Sequence, residues 1–266
     1  MAASRLVLRQ TLRYDYPSPV SRLDHHLMVL PPARHGDQLR TVSALEVQGA
    51  RSTVEAVDGF GNIAVRVRAA KVQSCVEFLV HVEVERSGAP MAGGPAGALL
   101  APSSLTEPDS ALRAAARDLL ASGHAGIDLA ERINGWVAGA MTYRHDVTSV
   151  RTTAAEALAV GAGVCQDYAH VMLALCRLCG LPARYVSGHM VGEGGSHAWV
   201  EVVLQSATVA FDPTNDRRAG LTYLTVAVGR DYADVAPTWG SYCGPAGGAL
   251  STTKTLEHQT VELVPC

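Results

Sequence analysis

Charge is the first thing this 266-residue chain has little of. Asp, Glu, Lys and Arg together make up 18% of it, and the formal net charge is −3. That balance gives no electrostatic reason to expect a nucleic acid or an anionic membrane as partner. No apolar run approaches the roughly 20 residues that a membrane helix needs. The opening MAASRLVLRQ lacks the apolar centre of a secretory leader and already alternates like a strand, so the expected location is the cytoplasm. The six cysteines are scattered along the chain, which suits free thiols better than a disulfide framework. No cysteine, histidine and carboxylate set stands at zinc spacing, and no metal or cofactor is expected. His25, His26 and His35 lack such partners and read as ordinary surface or core histidines. Aromatics, at 5%, exclude nothing.

What is present is apolar. Hydrophobic residues make up 48%, so the chain folds, and its length suggests two subdomains. Residues 1–86 read as β-strands, with Asp58-Gly59-Phe60-Gly61-Asn62 as a turn. Val76, Phe78, Val80, Val82 and Val84 alternate with polar neighbours, broken only at Leu79. Short strands at close spacing predict an antiparallel β sandwich or half-barrel. Residues 87–110, rich in glycine, proline and alanine, read as a linker. In 111–266 helices come first. Asp109 or Ser110 caps one through Ala121, Ile127–Met141 is a second, and Thr153 to Glu156 is a capping-box pattern opening a third. The period then changes to two, with strands over Ala183–Val191, Ser196–Leu204, Thr208–Asp212, Tyr223–Val228 and Thr255–Val264. Helices followed by consecutive strands argue α+β with helices packed on an antiparallel sheet.

The chemistry centres on GVCQDYAHVMLALCRLCG, Gly163 to Gly180. A glycine turn delivers Cys165 to the first turn of a helix, where the macrodipole favours thiolate. That contribution is about one pKa unit, so Cys165 needs a histidine partner to become a strong nucleophile. Downstream stand His197 and Asp212, and Cys-His-Asp is a nucleophile, its base and an orienting acid. If Gln205-Ser206 is a two-residue hairpin loop, Asp212 falls opposite Trp199 and diagonal to His197 on the same face. A three-residue loop would put it on the other face. The Cys165 N–H is one candidate oxyanion donor, and Gln166, Tyr143 or Trp136 could supply a second. His189 and Trp199 are further candidates to line the cleft. Asp167 reads as a first-turn acid, His170 as core, and Cys176 and Cys179 as packing: their C-x-x-C lies at a helix end, where the dipole disfavours thiolate.

Several motifs together resemble the bacterial transglutaminase-like proteins. They are TTAAEAL from Thr152, GVCQDYAH from Gly163, LPARYVSGH from Leu181, SHAWVEV from Ser196, FDPTN from Phe211 and GRDYADVAP from Gly229, in the family's order. TLRYDYPSPV and DGFGN resemble the family's leading β region. The resemblance implies a β-rich N-terminal region joined to a distantly papain-like transglutaminase core. It also implies Cys165, His197 and Asp212 as nucleophile, base and orienting acid, and a peptide or protein amide as substrate. Attack of thiolate on the amide carbonyl would form a thioester, with water or an amine as acceptor. The alternative is a binding or scaffolding module that keeps the fold without activity. His189, where an aromatic is common, and Ser206-Ala207-Thr208, in place of a longer turn, depart from the family pattern. Both bear on substrate preference.

Overall fold

The computed structural model describes residues 3–50, 52–94, 96–245 and 247–261. Alternation organises the N-terminal region. Along Cys75–Arg86, Val76, Phe78, Val80, Val82 and Val84 are buried, and Leu79 simply takes a place on the opposite face. This strand lies between Ala3–Asp15 and Gln38–Gln48, antiparallel to both, with Arg34–His35 at the edge. A second sheet contains Val20–Leu30, Ile63–Val72 and Ser52–Val57. Its Leu23, Leu27, Val65 and Val67 meet Leu6, Leu8, Leu12 and Phe78 of the first in one apolar core. Each such buried side chain contributes about 1.5–3 kcal/mol. The Asp58 turn is fixed by Asp58 Oδ1, which accepts from the N–H of Phe60 at 2.8 Å and of Asn62 at 2.9 Å.

The C-terminal tail departs from expectation. Ala249–Val261 belongs not to the core sheet but to the first sheet, where it pairs with Ala3–Asp15 along its whole length. Thr238–Cys243 likewise joins the second sheet beside Val20–Leu30. Both strands stay largely exposed and extend the two sandwich sheets through backbone pairing. A local pattern cannot announce which sheet a strand completes. Residues 262–264 of the expected strand lie outside the described residues.

The helices form where capping directs. Asp109 Oδ1 accepts from Leu112 N at 2.9 Å at the head of Ser110–Ala121. Thr153 and Glu156 bond reciprocally ahead of Ala154–Val160. Gly126–Ala140 packs beside them. All three surround Cys165–Leu178, which is buried from Gln166 through Arg177. Gly180, at φ +75°, ends this helix, with Leu181 N donating to Cys176 O at 2.8 Å. On its other side lies an antiparallel sheet in the order Arg217–Arg218, Thr208–Asp212, His197–Val203, Ala183–Met190, Tyr223–Gly229. The architecture is α+β.

Side chains lock the two regions together. Tyr223–Gly229 is an edge strand, and amides from the sandwich occupy its free backbone groups. Gln38 donates to Thr225 O at 2.8 Å and accepts from Thr225 N at 2.9 Å. Asn62 does the same for Val228, at 2.8 Å in both directions. Glu201, 1% exposed, accepts from Arg184 and bonds His35 of the sandwich, each at 2.7 Å. The segment read as a linker is pinned as well. Met91 bridges to Thr208, and buried Arg177 donates to Leu99 O, Ser103 Oγ, Thr106 Oγ1, Ala183 O and Arg230 O. No helix among the described residues is long and apolar enough to cross a membrane.

Candidate active site

Gly161, at φ +65°, closes the preceding helix and turns the chain into Ala162-Gly163, which pairs with Thr142-Tyr143. Cys165 then begins the buried helix. Val164 has no capping side chain. Asp167 instead reaches back and accepts from Val164 N at 2.8 Å, and from Thr148 Oγ1 at 2.7 Å. A Cβ on Gly163 would lie 2.4 Å from Asp167 Oδ2, so this cap requires glycine there. Asp167 is buried, and burial pushes its carboxyl above the usual range against those hydrogen bonds.

The hairpin after His197 sets the second half of the site. Val200 pairs with Phe211 and Val203 with Thr208, and Leu204 N donates to Ala207 O, so the loop is the two residues Gln205-Ser206. This register leaves Asp212 on the face of His197. His197 Nε2 lies 2.8 Å from Asp212 Oδ2. A carboxylate only accepts, so Nε2 carries the proton. The thiol of Cys165 is close enough to act on the imidazole's charge. Cys165 and His197 line one open groove of about 580 Å³.

Asp212 is fully buried and saturated with donors. Besides His197, its Oδ2 accepts from Asn215 Nδ2 and Tyr223 Oη, both at 2.7 Å, and its Oδ1 from the N–H of Thr214 and Asn215. Arg217 Nε in turn donates to Tyr223 Oη at 2.9 Å. Burial works against both charges. The His197 bond and the other donors nonetheless hold Asp212 below the usual carboxylate range. Asp212 and Cys165 likewise carry His197 up to about 9 despite burial. The pair is therefore an ionised one at neutral pH.

The other candidates separate. Gln166 lines the groove, and its Nε2 is buried without a hydrogen-bond partner. Tyr143 lines the groove from its exposed side. Trp136 does not: it sits about 100° round its helix from the buried Val137 and lines a separate pocket with Asp118 and Arg132. Trp199, 1% exposed, lies behind the site, packed on His197 and Tyr223. Its ring passes so close to Gly188 that a Cβ there would lie 2.5 Å from it. His189 faces a neighbouring cavity rather than the groove, past a register shift in its strand at Ser187/Gly188. His170 is buried, with Nε2 accepting from Tyr232 N at 3.2 Å, and burial lowers it to about 4. Cys176 is enclosed, and burial pushes its thiol far up.

Sequence reasoning missed Asn215, Tyr223 and Arg217. Asn215 was within reach, three residues past Asp212 in FDPTN, where an asparagine can fold back on the aspartate. Tyr223 comes from a strand across the sheet from Asp212, and no local signal carries it.

Residues 113–213 match the transglutaminase-like superfamily core, and residues 6–85 match the bacterial transglutaminase-like N-terminal region. An uncharacterized protein of Mycobacterium leprae is 41% identical over 119 residues, which cover 41% of this chain and 42% of that one. One from Mycobacterium tuberculosis is 39% identical over 115 residues, 37% of each chain. The matched stretch thus spans about two fifths of the length of these relatives. A solved structure from Cytophaga hutchinsonii, provisionally named a cysteine protease, superposes with a TM-score of 0.79 at 22% identity, covering 99% of this chain and 93% of that one. With both regions present and in order, the chain is a bacterial transglutaminase-like protein: an N-terminal β region of that family joined to its core.

Proposed function

We propose that the chain is a cysteine-dependent acyl-transfer enzyme acting on a peptide or protein amide. The observation that carries this reading is the His197 ring, bonded to Asp212 and lining one groove with Cys165, which stands at the head of a buried helix and acts on the ring's charge. His197 already holds the proton as an imidazolium, stabilised by Asp212, and pairs with Cys165 as thiolate. The thiolate attacks the amide carbonyl carbon, and a C–S bond forms as the carbonyl π electrons move to oxygen. The N–H of Cys165 and the amide of Gln166 are the donors for that oxyanion; the unpartnered Gln166 Nε2 favours it over Tyr143. Collapse breaks the C–N bond, and the imidazolium gives its proton to the departing amine or ammonia. Water or a primary amine then enters through the open groove and loses a proton to His197. It displaces the thiolate from the thioester.

The test is trapping. Wild type and Cys165→Ala are incubated with glutamine-containing peptides, with and without a primary amine, and followed by intact mass. The expected result is an acyl-enzyme on wild type only, with hydrolysed product or, with amine, transamidated product. The absence of both adduct and product across the library, with folded protein, refutes the reading.

A further inference from the structure

Beside the Cys165 groove lies a second, smaller cavity of about 310 Å³, at the seam between sandwich and core. The two adjoin: Ser187, Gly195, Ser196, Tyr232 and Pro237 line both. Its far wall is the inner face of the sandwich, with Leu12, Met28 and Val29, and the C-terminal strand adds Leu250 and Thr252 at the rim. The core contributes Val226 and His189. His189 is 4% exposed, and its Nδ1 is buried with no hydrogen-bond partner. Burial first, and nearby Lys254 second, lower it to about 3, so the imidazole is neutral. Among the described residues that line the cavity, none is Asp, Glu, Lys or Arg. Lys254 stands near but is committed elsewhere, donating to the carbonyl of Gly195 in the glycine loop between groove and cavity.

We infer that this cavity is a specificity pocket, taking an uncharged, mainly apolar side chain of the substrate next to the amide that Cys165 attacks. Three observations converge on it. The cavity adjoins the groove across five shared lining residues, so a side chain next to the reacting amide lies beside it. Its volume falls at the lower end of the range, about 300–1,000 Å³, in which small ligand groups are held, and seams between domains favour such sites. Its lining offers apolar area and neutral polar groups but no counter-ion, so a charged side chain would give up its hydration with no partner to replace it. The sandwich then has a direct role in the chemistry: it builds half of the pocket, and Lys254 holds the loop that separates pocket from thiol.

This inference rests on Cys165 being a reactive thiol, so the experiment measures the two separately. Iodoacetamide, too small to use the pocket, reports the thiol. Peptidyl epoxysuccinates, whose ring the thiolate opens and which extend to either side of the sulfur, report the pocket. They are compared with leucine, tyrosine, lysine or aspartate as the variable residue. The expected result is leucyl and tyrosyl probes labelling Cys165 at least tenfold faster than lysyl and aspartyl ones. Thr252→Trp, at the exposed rim, should compress that preference to within about twofold while leaving the iodoacetamide rate unchanged. Leu250→Lys, also at the rim, should raise the aspartyl rate several-fold. Fast iodoacetamide labelling with no side-chain preference, with a preference for charge, or with a preference that Thr252→Trp leaves intact overturns the pocket but not the reactive thiol. Slow iodoacetamide labelling that His197→Ala does not change overturns both.

Discussion

Replacing Asp212 by asparagine should collapse the charge on His197. In the native site the imidazole is carried up to about 9, against an ordinary value of 6.5, although burial alone would lower it. That difference corresponds to roughly 3 kcal/mol favouring imidazolium, at about 1.4 kcal/mol per unit. At pH 7.5 it keeps most of the rings protonated, whereas a ring at its ordinary value would be mostly neutral. The asparagine side chain keeps the shape but not the charge, and burial persists with only Cys165 opposing it, so His197 should titrate well below its native value. Iodoacetamide labelling of Cys165 at pH 7.5 should slow about tenfold. Stability should change in a definite window as well. A histidine raised in the folded state contributes fully below pH 6.5, and the contribution disappears as pH rises towards 9. Wild type should therefore lose stability over that interval, and Asp212→Asn should lose less there. The variant starts from a lower baseline, because donors now face an amide N–H₂ at about 1–3 kcal/mol each. The assay is a ¹³C-detected titration of the histidine rings, with His197 assigned by His197→Ala, alongside urea melts at several pH values. A His197 ring that still titrates near 9 in Asp212→Asn would refute the account of what charges it.

Three further outcomes follow from described contacts. Tyr223→Phe removes one of three donors on Asp212 Oδ2 and leaves Arg217 Nε without its acceptor, so turnover should fall about three- to tenfold with KM little changed, measured on any peptide that forms the acyl-enzyme. Glu201 is lowered to about 2, burial opposing and the His35 and Arg184 contacts prevailing. Its stabilisation is present above pH 4.5 and lost as pH falls towards 2, so Glu201→Gln should flatten the melting temperature against pH over that range. Arg177→Met strips five carbonyl and hydroxyl acceptors of their donor and should destabilise by about 3 kcal/mol or more, with new proteolytic cleavage near residues 97–106.

What could be read from the chain alone follows the range of the forces involved. The Thr153/Glu156 box and the Asp109 cap act over a few residues, and their residue types state their geometry, whereas the equally local Gln205-Ser206 loop has residue types that leave its length open. The loop length mattered most, because with a period of two it decided which face Asp212 takes. The pairing of Ala3–Asp15 with Ala249–Val261 joins opposite ends of the chain, and nothing within either strand names its partner. Residues 87–110 looked loose because glycine, proline and alanine cannot hold themselves in place. A buried arginine seventy or more residues away holds them. His189 and Trp199 were correctly placed on strands beside the site, but depth within a sheet is decided by neighbouring layers, and those layers put one in the next cavity and the other behind the imidazole.

The two amide clasps at Thr225 and Val228 determine how a polypeptide can approach. Many proteins capture extended chains by letting them zip onto an open sheet margin. Here the long margin of the core sheet is already occupied by Gln38 and Asn62, whose amides imitate a neighbouring backbone. A visiting chain finds no ladder to join there, and neither does a second copy of the protein, so the clasps guard against aggregation while they dock the sandwich. On the function proposed above, selection among visiting chains is left to the trough around the sulfur and the chamber beside it.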